Sequence, residues 1–489
     1  MLQNLRVFDT EVQRYKYKVL KEVIRRAYEG GLDTAYIDMP KIISPGPKSE
    51  LRCCIYKERA VVQERIKLAM GGNKNNPNVV EVLDVACDEC PIGGIYVSPA
   101  CRGCITHACK EACPRGAISI ENHHSVVDKE KCIECGKCAK ACPYGAIVAQ
   151  HRPCMVSCKV KAISMDEDRK AMIDNDKCVQ CGACITQCPF GALQDKSFVL
   201  DIIDILKKSE NNTKYKVYAV VAPSIVSQCR TGSVEQVVTA ILRLGFHQVF
   251  EAALGADITL YHEALEWKER GGMMTTSCCP AFVNLIEKHF PTVAPYISNS
   301  PSPMVETALL IKKMDPTAKV IFIGPCVAKK GEFQRNKTKG AIDCVMSFEE
   351  LQAFVDARNI DTASMEPTPL QDASYFGRIF ARSGGIVHGL TQLALSLGVE
   401  GLKPVAMNGL EECKQKLMLL KLGKAQENFF EGMSCEGGCV NGPLCINHGT
   451  RNVADVDKYG NEATSTGVMQ SVDLWAQNMG NAETNGLED

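Results

Sequence analysis

Apolar positions at helical spacing open the chain: Val19, Leu20, Val23 and Ile24 fall on one face. The stretch from Pro40 to Pro47 interrupts that pattern, and a second helix is expected around Val61 to Met70. From 81 to 195 neither the helical nor the strand period persists; short apolar dipeptides are punctuated by cysteines. After Leu193 apolar strands alternate with amphipathic helices to about residue 445. Lys216 to Pro223, Gln248 to Phe250 and Lys319 to Gly324 read as strands, and Ser347 followed by Glu350 is a capping box that opens a helix. The last forty residues are polar and Asn-rich, with one helical stretch near Met469 to Met479 and an end expected to be mobile. Three parts follow: a helical segment over 1–80, an α+β cysteine-rich region over 81–200, and an α/β domain with helices flanking sheets over 201–489.

Composition narrows the chemistry. A formal net charge of −1 over 489 residues gives no argument for a nucleic-acid partner. No run approaches the ~18 consecutive apolar residues of a membrane span. Met1 to Tyr17 lacks a signal-peptide core, so a cytoplasmic protein is expected. The decisive number is 27 cysteines. Disulfide frameworks belong to small exported domains. Here the cysteines are clustered in metal-ligand spacings, and soft thiolates select iron–sulfur clusters, zinc or copper.

Two runs, Cys132, Cys135, Cys138, Cys142-Pro143 and Cys178, Cys181, Cys184, Cys188-Pro189, have the spacing of bacterial ferredoxins. Zinc would want two spaced pairs. A third run is expanded (Cys101, Cys104, Cys109, Cys113-Pro114). A fourth is broken: Cys154 and Cys158 stand apart from the upstream pair Cys87 and Cys90. Ala117-Ile118, Ala146-Ile147, Ala162-Ile163 and Ala192-Leu193 follow the four sites, marking one repeated ferredoxin-like unit. The sixteen cysteines from Cys87 to Cys188 suffice for four 4Fe–4S clusters. The crossover rule groups Cys101, Cys104 and Cys109 with Cys142; Cys132, Cys135 and Cys138 with Cys113; Cys178, Cys181 and Cys184 with Cys158; and Cys87, Cys90 and Cys154 with Cys188. If Cys87 and Cys90 bind zinc or nothing, three clusters remain. His107 reads as a solvated or core histidine, and Cys53 and Cys54 as structural or incidental. The region by itself predicts an electron conduit.

The α/β part carries three more cysteine motifs: Thr276-Ser277-Cys278-Cys279-Pro280, Gly324-Pro325-Cys326-Val327-Ala328-Lys329-Lys330-Gly331-Glu332, and Glu431-Gly432-Met433-Ser434-Cys435-Glu436-Gly437-Gly438-Cys439. None has ferredoxin spacing, which suits one buried site assembled from several loops. Over roughly Ala222 to Pro443 these motifs resemble the three signatures of FeFe hydrogenases. The resemblance implies the H-cluster, a 4Fe–4S cubane joined to a diiron unit carrying carbonyl, cyanide and a bridging azadithiolate. It implies that Cys279, Cys326, Cys435 and Cys439 hold the cubane and that Cys439 bridges to the diiron unit. Cys278 becomes the proton-delivering thiol, Lys329 a donor to a cyanide ligand, and Met433 a packing residue on the diiron site. Glu332 belongs to the second motif, and Ser224 lies in a segment lining the same pocket. Glu263 and Glu266, three apart and so on one helix face, lead with Ser298 to Arg270 along the family's proton path.

The implied activity is reversible interconversion of hydrogen with protons and electrons in an anaerobic setting. Soluble ferredoxin or a similar carrier, and the H-cluster maturation proteins, are the implied partners. The chain departs from the best-known members at Ala281-Phe282, at Gly324, at Val440-Asn441-Gly442-Pro443 and at Met304, and shows no plant-type two-iron domain. It is therefore similar to the divergent branch called group B. Two other readings stand beside this one. One is a non-catalytic iron–sulfur carrier like the hydrogenase-like proteins of cluster assembly, against which Cys278, Lys329 and Glu332 argue. The other is a hydrogen sensor, for which no signalling domain is visible.

Overall fold

The computed structural model describes residues 8–88, 90, 93–229, 232–465 and 467–478. The expected mobile end, Met479 and the first seven residues lie outside these.

A parallel sheet forms where the apolar runs predict it. Its strands, in spatial order, are Gln248–Glu251, Val217–Val221, Lys319–Ile323 and Cys344–Met346. Val217–Val221 is buried at every position, the mark of a strand covered on both faces. A second parallel sheet orders Met274–Thr275, Phe429–Met433 and Pro404–Asn408. Helices flank both sheets. Phe348–Ala357 opens on the expected Ser347–Glu350 capping box.

The N-terminal segment is three helices, Glu11–Glu29, Ala35–Ile43 and Ile55–Ala69. Their apolar faces enter the same core as the first sheet: Val19, Leu20, Val23 and Ile24 pack in one cluster with Val217, Ile321, Phe354 and Val355. A five-member charge chain fixes the junction. Lys16 Nζ donates to Asp195 and Glu349 at 2.5 Å each, and the fully buried Lys330 Nζ donates to Asp195, Glu350 and the Lys196 carbonyl at 2.8, 2.8 and 2.9 Å. The sequence places a break at Pro40, yet Ala35–Ile43 runs through it. The carbonyl that Pro40 cannot satisfy, that of Tyr36, accepts instead from Gln63 Nε2 at 2.9 Å. The third helix starts at Ile55, earlier than expected, because the Cys54 thiol caps it by accepting from Lys57 N at 3.4 Å.

The cysteine-rich region is built of short antiparallel pairs. Val80–Val82 against Leu193–Asp195 closes it off, and Gly94–Val97 against Ile147–Gln150 bridges its first half. Ile118–Glu121 with His124–Val127, and Ile163–Met165 with Ala171–Ile173, are two equivalent hairpins.

Candidate functional site

Four cysteine groups come together as the crossover pairing arranges them. Cys101, Cys104, Cys109 and Cys142 line one cavity, with His107 at its wall. Cys113, Cys132, Cys135 and Cys138 line another. Cys87, Cys90, Cys154 and Cys188 line a third, which Arg152 also borders. In the last group Cys184 lies within electrostatic reach of Cys181, Cys178 and Cys158. A backbone contact recurs with the repeat. Ala117, Ala162 and Ala192 each donate a backbone N–H to the thiol four residues earlier, on Cys113, Cys158 and Cys188, at 3.2, 3.1 and 3.2 Å. Cys87 accepts from Ala171 N at 3.3 Å and from the Arg152 guanidinium at 3.7 Å. Such donors stabilise sulfur that carries negative charge. Among the described residues no group of His, Cys, Asp or Glu closes on a single-ion site; the thiols ring cavities instead.

The groups are ordered in space. Cys184 feels Cys154 of the neighbouring group, and Cys435 of the α/β half feels Cys181. The loop around Cys181 is pressed onto the second and third motifs of the α/β half. A Cβ on Gly182 would meet Pro443 at 2.5 Å and Val327 at 2.9 Å, and one on Gly331 would meet the Gln180 side chain at 2.0 Å. At Gly182, whose φ is +79°, only glycine allows this approach.

In the α/β half the motifs sit where open parallel sheets place ligands, beyond the carboxyl ends of strands. Cys278 and Cys279 follow Met274–Thr275, Cys326 follows Lys319–Ile323, Cys435 follows Phe429–Met433, and Ser224 follows Val217–Val221. Cys279 and Cys326 are the N-cap residues of the helices that come next. Cys439 opens a 3₁₀ turn behind Gly438, whose φ of +94° and close contact with Ser383 N and Ala381 O exclude a side chain. Cys435 lies within electrostatic reach of Cys326, Cys279 and Cys439, so four thiols from three distant loops converge. Burial, then their mutual repulsion, pushes Cys326 and Cys439 up to about 12. Thiols so placed become thiolates together only around a bound cation, which is the donor set an iron–sulfur cluster takes.

Around them stand the other expected residues. Cys278 is 6% exposed, and burial and then Glu263 push its thiol up. Lys329 Nζ donates to the Cys278 carbonyl at 3.3 Å and pairs with Glu332 at 2.7 Å. Burial pulls the Lys329 ammonium down, but the charge and hydrogen bond of Glu332 together with the nearby Cys326 and Cys278 outweigh it, and the net shift is upward. Met433 is buried with Cys278 in one apolar cluster. The Ser224 hydroxyl is enclosed without a hydrogen-bond partner among the described residues. Phe282, a departure from the familiar first motif, lies over Gly432 of the third, where an added Cβ would come within 2.3 Å of the ring. Gly324 is needed because the Phe322 ring fills the space of a side chain. Met304 is buried in the helix Pro303–Met314.

Helix Ala252–Arg270 carries the polar file. Glu263 is fully buried and its oxygens make no hydrogen bond of normal geometry; burial pushes it up to about 8, the nearby Ser277 backbone N–H pulls the other way, the Glu266 and Glu431 charges add to the rise, and the Ser298 hydroxyl opposes it. Ser298 Oγ donates to Glu266 at 2.8 Å, and Arg270 donates to the same carboxylate at 3.2 Å. Side-chain exposure rises from Glu266 at 15% to Arg270 at 35%, so the file runs outward.

One residue of the third motif was quoted without a role. Glu431 is fully buried, accepts from Gly384 N at 2.7 Å and Val387 N at 2.8 Å, and burial pushes it up to about 7. It thereby holds the start of helix Gly385–Leu397 against the site, and its charge reaches both Cys278 and Glu263. Its place in the motif was the available signal.

Residues 215–443 match the family described as iron only hydrogenase large subunit, C-terminal domain, and 125–148 and 171–194 match the 4Fe–4S binding domain. The periplasmic [Fe] hydrogenase large subunit of Nitratidesulfovibrio vulgaris is 28% identical over 65% of this chain and 86% of its own length. Iron hydrogenase 1 of Clostridium pasteurianum is 28% identical over 65% of this chain, which spans 64% of that protein. The cytosolic Fe–S cluster assembly factor narfl of Danio rerio is 25% identical over 48% of this chain and 73% of its own. A solved FeFe-hydrogenase from Chlamydomonas reinhardtii aligns with a TM-score of 0.48 and 19% identity over 57% of this chain and 94% of its own. No described helix is long and apolar enough to cross a membrane. By its domains and its relatives, the chain is an FeFe-hydrogenase-like iron–sulfur protein.

Proposed function

We propose that the chain is a working hydrogenase that interconverts hydrogen with protons and electrons. What supports this reading is the buried Glu263, whose charge reaches Cys278, next to the hydrogen-bonded Ser298, Glu266 and Arg270, all beside four converging thiols. A protein that only stored or carried electrons would have no use for that arrangement.

In this reading Cys279, Cys326, Cys435 and Cys439 would hold the H-cluster. Bound there, that group would supply the metal site at which electrons delivered from outside meet protons and hydrogen. The chain supplies protons and order. Burial keeps Glu263 protonated at neutral pH, so it stands ready to give a proton inward to Cys278 and to be refilled through the Ser298 hydroxyl from Glu266. Arg270 holds Glu266 at the outer end. Lys329, kept charged by Glu332, faces the first motif as a fixed donor for an anionic ligand. Met433 and the surrounding apolar cluster keep water out.

The four cysteine groups would hold four 4Fe–4S clusters, which would supply a path for electrons, and the nearness of Cys181 to Cys435 puts the entry to the hydrogenase-like half there. Soluble ferredoxin or a similar carrier is the proposed partner, maturation proteins install the diiron unit, and the cytoplasm is the proposed compartment. The matured protein will show carbonyl and cyanide infrared bands and evolve hydrogen from reduced ferredoxin or viologen. Their absence after full maturation rejects the enzyme.

The likeness to the narfl assembly factor supports a second reading, an iron–sulfur protein of cluster assembly. Iron content separates the two: five cubanes alone give about 20 atoms, and the hydrogenase adds about two more.

A further inference from the structure

The Cys132 and Cys178 runs are copies of one loop in opposite circumstances. Glu134 and Gln180 have φ of +54° and +60°, and Gly136 and Gly182 have φ of +71° and +79°, so the backbones match. In the Cys178 copy the loop is covered by the catalytic half. Val179 is 1% exposed among Phe282, Leu285 and Ile286, and Asn284 donates to its carbonyl at 3.1 Å. Gly182 lies against Val327 and Pro443. In the Cys132 copy the equivalent Ile133 is 57% exposed, Cys135 is exposed, and nothing lies within 4 Å of a Cβ built on Gly136.

The covered copy shows what this loop does when docked: it brings a cysteine group against a second redox site. We infer that the exposed copy, the face of Ile133, Cys135 and Gly136, is the docking surface for a small redox protein with an acidic rim around its own cluster. This deepens the proposed function and rests on Cys113, Cys132, Cys135 and Cys138 holding a cluster.

Charge selects the occupant. Along this stretch Lys129, Lys131, Lys137 and Lys140 outnumber Asp128, Glu130 and Glu134, Arg115 lines the same cavity as Ile133 and Cys135, and Lys129 lies over the Tyr96 ring. Lys131 is already paired with Asp128 at 3.0 Å, whereas Lys137 and Lys140 project from the helix Lys137–Ala141, which has no acidic residue in its first turn. An apolar centre inside a rim of one sign is the anatomy of a transient interface steered by the opposite sign. One electron crosses per encounter: the carrier's cluster is oxidised by one unit and the chain's cluster reduced by one.

The test uses the chain carrying its 4Fe–4S clusters and follows their bleaching by stopped flow. The electron donors are a reduced acidic bacterial ferredoxin and, separately, reduced methyl viologen. Ile133→Ser with Lys137→Glu will slow bleaching by ferredoxin about tenfold and flatten its salt dependence, with the viologen rate unchanged. Lys140→Glu, on the exposed helix face, repeats the test should the double variant lose iron. A ferredoxin rate unaffected by either variant, a rate that rises with salt, or no bleaching by ferredoxin overturns the inference. So does a dimer of the chain that these variants dissociate, which assigns the face to a second copy. The readout is cluster absorbance and not hydrogen, so a failed hydrogenase reading leaves it intact.

Discussion

Lys329 reaches across 51 residues of sequence to the carbonyl of Cys278, at 3.3 Å, while its ammonium is held by Glu332. One side chain thus ties the second cysteine loop to the first. Lys329→Met removes the tie and leaves the Glu332 carboxylate enclosed without its cation, a change that costs roughly 3–5 kcal/mol. The variant will bind less iron in the catalytic half, measured as iron per chain after reconstitution, while the clusters of the ferredoxin-like region persist. Full iron and full turnover would remove Lys329 from the site.

Glu263→Gln keeps the volume and a neutral side chain but cannot pass a proton. Hydrogen turnover will fall about 10²–10⁴-fold, the range for general acid–base groups, with the infrared bands of the cluster unchanged. Stability carries a second signature. With its folded value raised to about 8, Glu263 stays protonated after the unfolded chain has lost the proton. The folded state therefore binds more protons between the ordinary carboxylate range and pH 8, and stability falls by up to about 1.4 kcal/mol per pH unit across that window. Denaturation of the Gln variant as a function of pH will lack that slope.

Ser298→Ala deletes the hydroxyl that donates to Glu266 and accepts from Ser300 N, and leaves Glu266 held by Arg270 and by Asn299. Turnover will drop about tenfold, less than at Glu263, and Thr at the same position will restore it. Equal losses at both positions would mean the file is not a path.

Cys188→Ser tests the broken run. If Cys87, Cys90, Cys154 and Cys188 hold one cubane, iron falls by about four atoms per chain and one paramagnetic signal disappears. Zinc in the native protein, unchanged iron in the variant, or both would leave three clusters.

Asp195→Asn interrupts the chain of charges between Lys16 and Lys330, both of which lose their shared anion. The cost is roughly 3–5 kcal/mol, read as a lower denaturant midpoint for the ferredoxin-like and catalytic halves together.

The strands at Val217–Val221 and Lys319–Ile323 were legible because a doubly covered strand writes itself as an unbroken apolar run. The grouping of thiols was legible because short spacing leaves three cysteines no choice but to face one centre. Other features depend on residues far away and leave no local trace. Glu431 stands in plain view in its motif, yet its task is set by Gly384 and Val387. The helix through Pro40 exists because Gln63 supplies what the proline denies. Val179 and Ile133 occupy the same place in the same spacing, and only the fold covers one and bares the other.

The pairing of Lys16 with Glu349 spans 333 residues. At a synthesis rate of ~5–20 residues per second, the first helix waits about 15–70 s before the segment that shelters it leaves the ribosome. Its apolar face is only partly covered for that interval, by the third helix and the segment from Val199, and the cysteine groups emerge within it. The chain is thereby obliged to fill or shield its early sulfur sites before its oldest helix is fully housed, which makes birth order a constraint on assembly.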